Sequence, residues 1–308
     1  MEQKRRDAKE NPMADSVVGS VSELWRFPVK SMGGEKLDQT DLTEQGVLGD
    51  RAYAIIDVDT GKVASAKSVK LFPNLLGCQA TFLEPPGLGG EMPPVRITLP
   101  DGTAQASDSG SIDLFLSAWF KRKVTLAQTA PADFTIDQYH PNVEDLDPAG
   151  HRDTVVEQKL GSALFAEVGA PSPVPEGSFF DLFPVSVLTT STIERLTELA
   201  PNSSVDQRRF RMNIILATDE PGFLENDWVG HKLEIGSTAQ LIVALPDPRC
   251  VMMTLAQDGL PKDTDLLRTL TRHNRIQVGD IGQFPCAGVY AVLGTPGSVQ
   301  AGDPVTLS

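Results

Sequence analysis

Over residues 18–27 and 51–58 apolar positions alternate with polar ones, the period of two that turns one strand face toward a core. Asp59-Thr60-Gly61 supplies turn chemistry, so residues 62–65 read as the return strand of a meander. Further strands are predicted at 78–83, at 95–99 before the turn Asp101-Gly102, and at 124–128. Together they suggest a small barrel or sandwich. The period changes to that of a helix over 111–120, where Ile112, Phe115, Leu116, Trp119 and Phe120 share one face set to plug that barrel.

Prolines and glycines make 84–94 a loop, and the acidic, proline-bearing stretch 131–153 reads as a linker. The second half opens with a loop at 169–177 and an apolar run at 185–189. Ser191 and Glu194 form a capping box, which predicts a helix carrying Ile193, Leu196 and Ala200 on one face. Strand patterns follow at 213–217, 232–235, 239–245 and 288–293, with a shorter helix near 265–270. No internal repeat is visible. The expected fold class is mixed α+β and β-rich: a tail over 1–16, a small barrel-like domain over 17–130, the linker 131–153, and a second β-rich domain with flanking helices over 154–308.

The length of 308 residues suits about two domains, and 40% hydrophobic with 22% charged residues is ordinary globular usage. A formal charge of −14 argues against broad binding to nucleic acid or anionic membrane, while leaving room for a local basic pocket. Cys78, Cys250 and Cys286 are too sparse and odd a set for a disulfide framework and suit a reducing compartment. The basic Lys4-Arg5-Arg6 is followed by polar residues, not by an apolar signal or membrane span, so a cytoplasmic location is expected. Met13 is an alternative start, or part of a solvated extension.

Common hydrolase and nucleotide signatures are missing: there is no His-Glu-x-x-His, Cys-x-x-Cys, Walker loop or Gly-x-Ser-x-Gly. Residues 87–90 are glycine-rich but flanked by prolines, which makes them a loop. Four clusters remain. Pro28-Val29-Lys30-Ser31 offers an ammonium and a hydroxyl at a strand end, suited to phosphate. Gly49-Asp50-Arg51 offers a planar guanidinium after a tight turn. In Arg209-Phe210-Arg211-Met212-Asn213, an extended chain would put Arg209, Arg211 and Asn213 on one side as convergent donors. Asp247-Pro248-Arg249-Cys250 places a cysteine beside an arginine, where it can stay a thiolate and bind a soft metal. Taken singly, the first also fits a solvated surface, the second a turn with an ion pair, the third a polar solvent-facing edge, and Cys250 a buried inert thiol. Cys78 and Cys286, among apolar neighbours, read as core.

In this order the clusters resemble, over residues 17–308, the MOSC family with its N-terminal β-barrel domain, the group that includes the mitochondrial amidoxime-reducing component. The resemblance rests on Lys30-Ser31, Arg51, the segment Phe210-Arg211-Met212-Asn213, Pro248-Arg249-Cys250, and the closing Gly302-Asp303-Pro304-Val305. It implies that the second domain is a MOSC β-barrel and that Lys30, Ser31 and Arg51 hold the phosphate of a molybdenum-molybdopterin cofactor. Arg211, Asn213 and Arg249 would line its site, and Cys250 would ligate the metal as the catalytic residue. Asp181 is a further candidate for contact to the cofactor, in the segment Asp181-Leu182-Phe183-Pro184, where relatives often carry small residues ahead of the proline. Leu182 and Phe183 depart from that pattern.

The implied activity is reduction of a small N-hydroxylated substrate such as an amidoxime or hydroxylamine. The alternatives are a non-catalytic cofactor carrier, and a sulfur-transfer module bearing a persulfide on Cys250. No pyridoxal-dependent half accompanies the latter. Beyond Cys250 only two cysteines remain, short of the roughly four an iron-sulfur cluster needs. No nicotinamide or flavin fingerprint is visible, and the sequence stops at Ser308, where some bacterial relatives continue into a ferredoxin. The electron donor is therefore expected to be separate, a ferredoxin or flavoprotein.

Overall fold

The first alternating stretch becomes the strand Ser16–Arg26 in a computed structural model that describes residues 16–308. The expected tail, with Lys4, Arg5, Arg6 and Met13, lies outside the described residues except for Ser16. Only the end of Ser16–Arg26 pairs within the first half, Leu24 with Leu37 and Arg26 with Glu35. The strand inserts between Ile214–Ala217 and Pro304–Leu307, antiparallel to both, and so becomes a stave of a barrel built otherwise from the second half. The ring continues through Lys232–Ile235, Ala239–Pro248 and Gly282–Thr295 to Val185–Thr189, which returns to Ile214–Ala217. Seven strands thus close on themselves and leave no ring edge unpaired. Val185–Thr189 and Ile214–Ala217 run parallel, and the helix Thr190–Leu199 lies in the crossover between them. Leu24, Val187, Leu216, Leu233, Leu241, Val289 and Val305 fill the interior.

The first half has its own core. Small sheets of Gln79–Phe82, Val95–Thr98 and Ala104–Ala106, and of Ala54–Asp57 with Val124–Ala127, surround the helix Ile112–Phe120. Ile112, Leu116 and Phe120 are buried on its inner face, with Phe115 and Trp119 partly so, as the period predicted. The fold is therefore β-rich α+β, with an N-terminal barrel domain and a C-terminal β-barrel domain.

Several local expectations need correction. The helix after Val185–Thr189 is capped by Thr189, whose Oγ1 accepts from Thr192 N at 3.1 Å, and not by Ser191. Ser191 already lies inside the helix, with its hydroxyl 2.7 Å from Thr218 Oγ1. The stretch 131–153, expected to be a linker, contains the strand Thr135–His140, paired antiparallel with Thr154–Lys159. Asp137-Gln138-Tyr139-His140 carries no apolar alternation, so the strand leaves no such signal. The helix Gly161–Glu167 starts after Leu160 without a polar cap, and no start signal announces it. Among the described residues no helix is long and apolar enough to cross a membrane.

Candidate functional site

After Arg26 the chain leaves the barrel and forms a short parallel ladder with residues 51–53. Arg51 N donates to Phe27 O at 2.8 Å, Tyr53 N to Pro28 O at 2.9 Å, and Lys30 N to Tyr53 O at 2.8 Å. Two clusters that are distant in sequence are thereby set side by side. Ser31, Arg51 and also Arg211 adopt left-handed backbone, with φ of 64°, 48° and 56°. A non-glycine residue there costs roughly 1–3 kcal/mol, and such strain concentrates where a site demands it.

Left-handed Arg211, following the 3-10 turn Gln207–Arg209, breaks the extended run expected over 209–213. Arg209 is consequently not a convergent donor. Its guanidinium is fully buried and donates to Ser204 O and Pro261 O at 2.8 Å and to Met253 O and Leu255 O at 3.3 Å. It ties together the loops behind the site.

Arg211 points the other way, donating from Nη1 to Met32 O at 2.6 Å. Its guanidinium lies 4.3 Å from the Phe27 ring centroid, and that of Arg51 lies 4.8 Å from it. Stacking on the aromatic ring helps hold two like charges in one place. Burial, with Arg51 beside it, lowers the Arg211 pKa to about 9. Arg51 pairs with Asp50 and donates to Arg211 O at 3.2 Å. Asn213 is fully engaged: Oδ1 accepts from Ser186 N at 3.2 Å and Oγ at 3.0 Å, and Nδ2 donates to Asp50 at 2.9 Å. It acts on the cleft through Asp50 and Arg51.

Asp181 sits between two lysines. Lys30 Nζ contacts its Oδ1 and Lys67 Nζ lies 2.8 Å from its Oδ2. Burial lowers the Lys30 pKa to about 8 even though Asp181 opposes the shift. For Asp181 burial acts against ionisation, but the two ammonium charges outweigh it and hold the carboxyl far below its ordinary range. Lys67 was not singled out in the sequence; its signal is a second Lys-Ser pair, Lys67-Ser68, like Lys30-Ser31.

The strand Ala239–Pro248 delivers Arg249 and Cys250 to the same place. Arg249 donates to Phe210 O at 2.6 Å and to Asp247 Oδ2 at 2.5 Å, while its buried Nε has no partner. Burial raises the Asp247 pKa to about 6 against the pull of Arg249 and of the Tyr290 hydroxyl. Cys250 is partly exposed, whereas Cys78 and Cys286 are buried. Burial pushes both buried thiols up, that of Cys78 to about 12.

All the sequence-derived candidates line one cleft: Lys30, Ser31, Arg51, Asp181, Arg211, Asn213, Arg249 and Cys250, joined by Lys67. Leaving out Arg209, which is spent on backbone carbonyls behind the cleft, five cations (Lys30, Arg51, Lys67, Arg211, Arg249) face three carboxylates: Asp181 and Asp247 in the lining and Asp50 beside Arg51. A surplus of two positive charges at low exposure favours a dianionic ligand. An apolar chamber of about 570 Å3 adjoins the cleft and shares Lys67, Asp181 and Cys250 with it. Phe183 and Tyr290, stacked with ring centroids 5.4 Å apart, form part of the common wall.

The MOSC domain matches residues 176–306, and the MOSC N-terminal beta barrel domain matches residues 18–115. Mitochondrial amidoxime reducing component 2 of Bos taurus is 25% identical, over 94% of this chain and 83% of its own length. Mitochondrial amidoxime-reducing component 1 of Homo sapiens is 23% identical over the same shares. Among solved structures, the YUAD protein from Bacillus subtilis aligns with 96% of this chain and 97% of its own, at 10% identity and a TM-score of 0.43.

Proposed function

The chain belongs to the MOSC-domain family, with a MOSC N-terminal beta barrel domain ahead of the MOSC domain, and on that premise we propose that it is a molybdenum-cofactor-dependent oxidoreductase whose cofactor lies in the Cys250 cleft. The observation that carries the reading is the two-charge surplus in the same cleft as a partly exposed cysteine. A phosphate supplies the missing negative charge, and a thiolate supplies the soft ligand that molybdenum takes. The residues present therefore fit a molybdenum-pterin cofactor.

In this reading Lys30, Ser31, Arg51 and Arg211 hold the phosphate. Asp181 keeps Lys30 and Lys67 in place, and Asn213 positions Arg51 through Asp50. Arg249 braces the loop that presents Cys250 to the metal. When bound, the cofactor supplies two-electron chemistry that removes oxygen from a substrate N–O bond. The name of the relatives, amidoxime reducing component, points to amidoximes, and hydroxylamines present the same N–O bond. Taking R–NH–OH to R–NH2 and water consumes two electrons and two protons. The electrons come from a separate ferredoxin or flavoprotein. Asp247, beside the Tyr290 hydroxyl and raised by burial, is suited to hold one of the protons. Three free cysteines favour a reducing, cytoplasmic setting.

The test is metal and pterin analysis of protein purified from a cofactor-producing host, coupled to amidoxime reduction. Turnover is expected with reduced viologen and not with NADH or NADPH alone. Bound molybdenum without turnover would instead identify a carrier. No metal, with labile sulfur on Cys250, would identify sulfur transfer.

A further inference from the structure

Outside the Cys250 cleft, three ligating side chains converge on the segment that joins the strands Thr135–His140 and Thr154–Lys159. His140 ends the first strand, and the following turn brings Asp147 and His151 back beside it. His151 Nδ1 lies 2.5 Å from Asp147 Oδ2, and His140 Nδ1 lies 3.8 Å from the same oxygen. One ligating atom from each residue falls within 4.8 Å of the other two. The carboxylate is held by its own loop: Ala149 N donates to Oδ1 and His151 N to Oδ2, each at 3.2 Å. Asp147 is thus oriented independently of the imidazoles.

Two imidazoles and one carboxylate are the three-ligand set that holds zinc with a coordination position left over. Ligand atoms at about 2.1 Å from a tetrahedral ion stand about 3.4 Å from one another. The observed 2.5 and 3.8 Å bracket that separation, and with His140 and His151 within 4.8 Å of each other, side-chain rotations complete the set. His140 and Asp147 are largely buried, with side chains 12% and 14% exposed. Both line the apolar chamber that adjoins Cys250. Mixed nitrogen and oxygen donors favour a zinc-class ion over magnesium or calcium, which take oxygen alone.

We propose that His140, Asp147 and His151 form a second metal site, specific for a zinc-class divalent cation, in the wall of the chamber next to Cys250. The site stands on its own residues and does not depend on what Cys250 binds. The test is equilibrium dialysis of the purified full chain, stripped with a chelator, against Zn2+. Wild type and Cys250→Ser should each bind one ion with similar affinity, because the thiolate is not a ligand here. His151→Ala and Asp147→Asn should each weaken binding by more than about tenfold, as a third of the protein ligands is lost. His151 is exposed enough that its variant should keep the wild-type melting temperature without metal. Co2+ in the site should give the visible spectrum of nitrogen and oxygen ligands, with no thiolate charge-transfer band. Absence of Zn2+ binding, or binding lost in Cys250→Ser and retained in His151→Ala, would overturn the proposal.

Discussion

Asn213 donates its side-chain amide to Asp50 at 2.9 Å, so the carboxylate that pairs with Arg51 is anchored from the strand side of the second barrel. The same amide accepts from Ser186 N and Oγ, which leaves little freedom in its position. Asn213→Ala should cost about 1–3 kcal/mol, because donors and an acceptor in a buried network lose their partner together. Urea unfolding measures this. An unchanged midpoint would mean that Asp50 finds its hydrogen bonds elsewhere.

Cys250→Ala removes a partly exposed thiol and should leave unfolding free energy within about 1 kcal/mol of wild type. It should abolish molybdenum content and turnover. Cys78→Ala and Cys286→Ala remove buried sulfur from packed surroundings and should cost about 1 kcal/mol or more. Folded protein from either should retain its metal; loss of metal there would contradict their assignment to the core.

Lys30→Ala and Arg51→Ala each halve the positive surplus of the cleft, and both should purify with markedly less pterin and molybdenum. Lys67→Ala should do the same, since Lys67 shares Asp181 with Lys30. Pterin assay after oxidative release provides the measurement. A full complement in all three variants would move the phosphate site elsewhere.

Much of this architecture was legible from alternation alone. The stretch 232–235 coincides with the strand Lys232–Ile235, whose one buried face must be apolar, and the apolar run 185–189 is the strand Val185–Thr189, buried on both faces. Alternation says nothing about partners, so the entry of Ser16–Arg26 into the second barrel left no trace in it. The site was legible as clusters, because Lys30, Arg51, Arg211 and Cys250 each sit in a short distinctive segment. Arg209 misled because its period-two spacing from Arg211 means little once the backbone turns left-handed. Lys67 escaped because a Lys-Ser pair on a connecting segment looks solvated until Asp181 folds against it.

Acid should weaken the first barrel through Asp57. This buried carboxylate accepts from Arg122 Nε at 2.8 Å and from the Asp59 and Thr60 amides at 3.0 and 3.2 Å. Burial opposes its ionisation, yet Arg122 and the amides outweigh burial and lower its pKa. The unfolded chain therefore takes up the proton at higher pH than the folded one. Its contribution is complete above the ordinary carboxylate range near pH 4 and is lost as pH falls through the lower folded value. Asp57→Asn should cost about 2 kcal/mol at pH 7 and make the acid limb of a stability-against-pH curve shallower. An acid limb of unchanged slope would assign the loss to other carboxylates.

The stave Ser16–Arg26 ties the order of synthesis to the order of folding. Ser16 is paired with Leu307, Val17 with Thr306 and Ser20 with Pro304. On a ribosome, Ser16–Arg26 must therefore wait for the much later Pro304–Leu307, and the nascent chain carries Val21 and Leu24 without their eventual neighbours. The loop to be closed runs from Arg26 to Pro304, an arrangement that slows folding and lengthens exposure to aggregation. A fragment cut to residues 176–306 would lack that stave, leaving two raw edges, at Ile214–Ala217 and Pro304–Leu307, open to pairing with strangers.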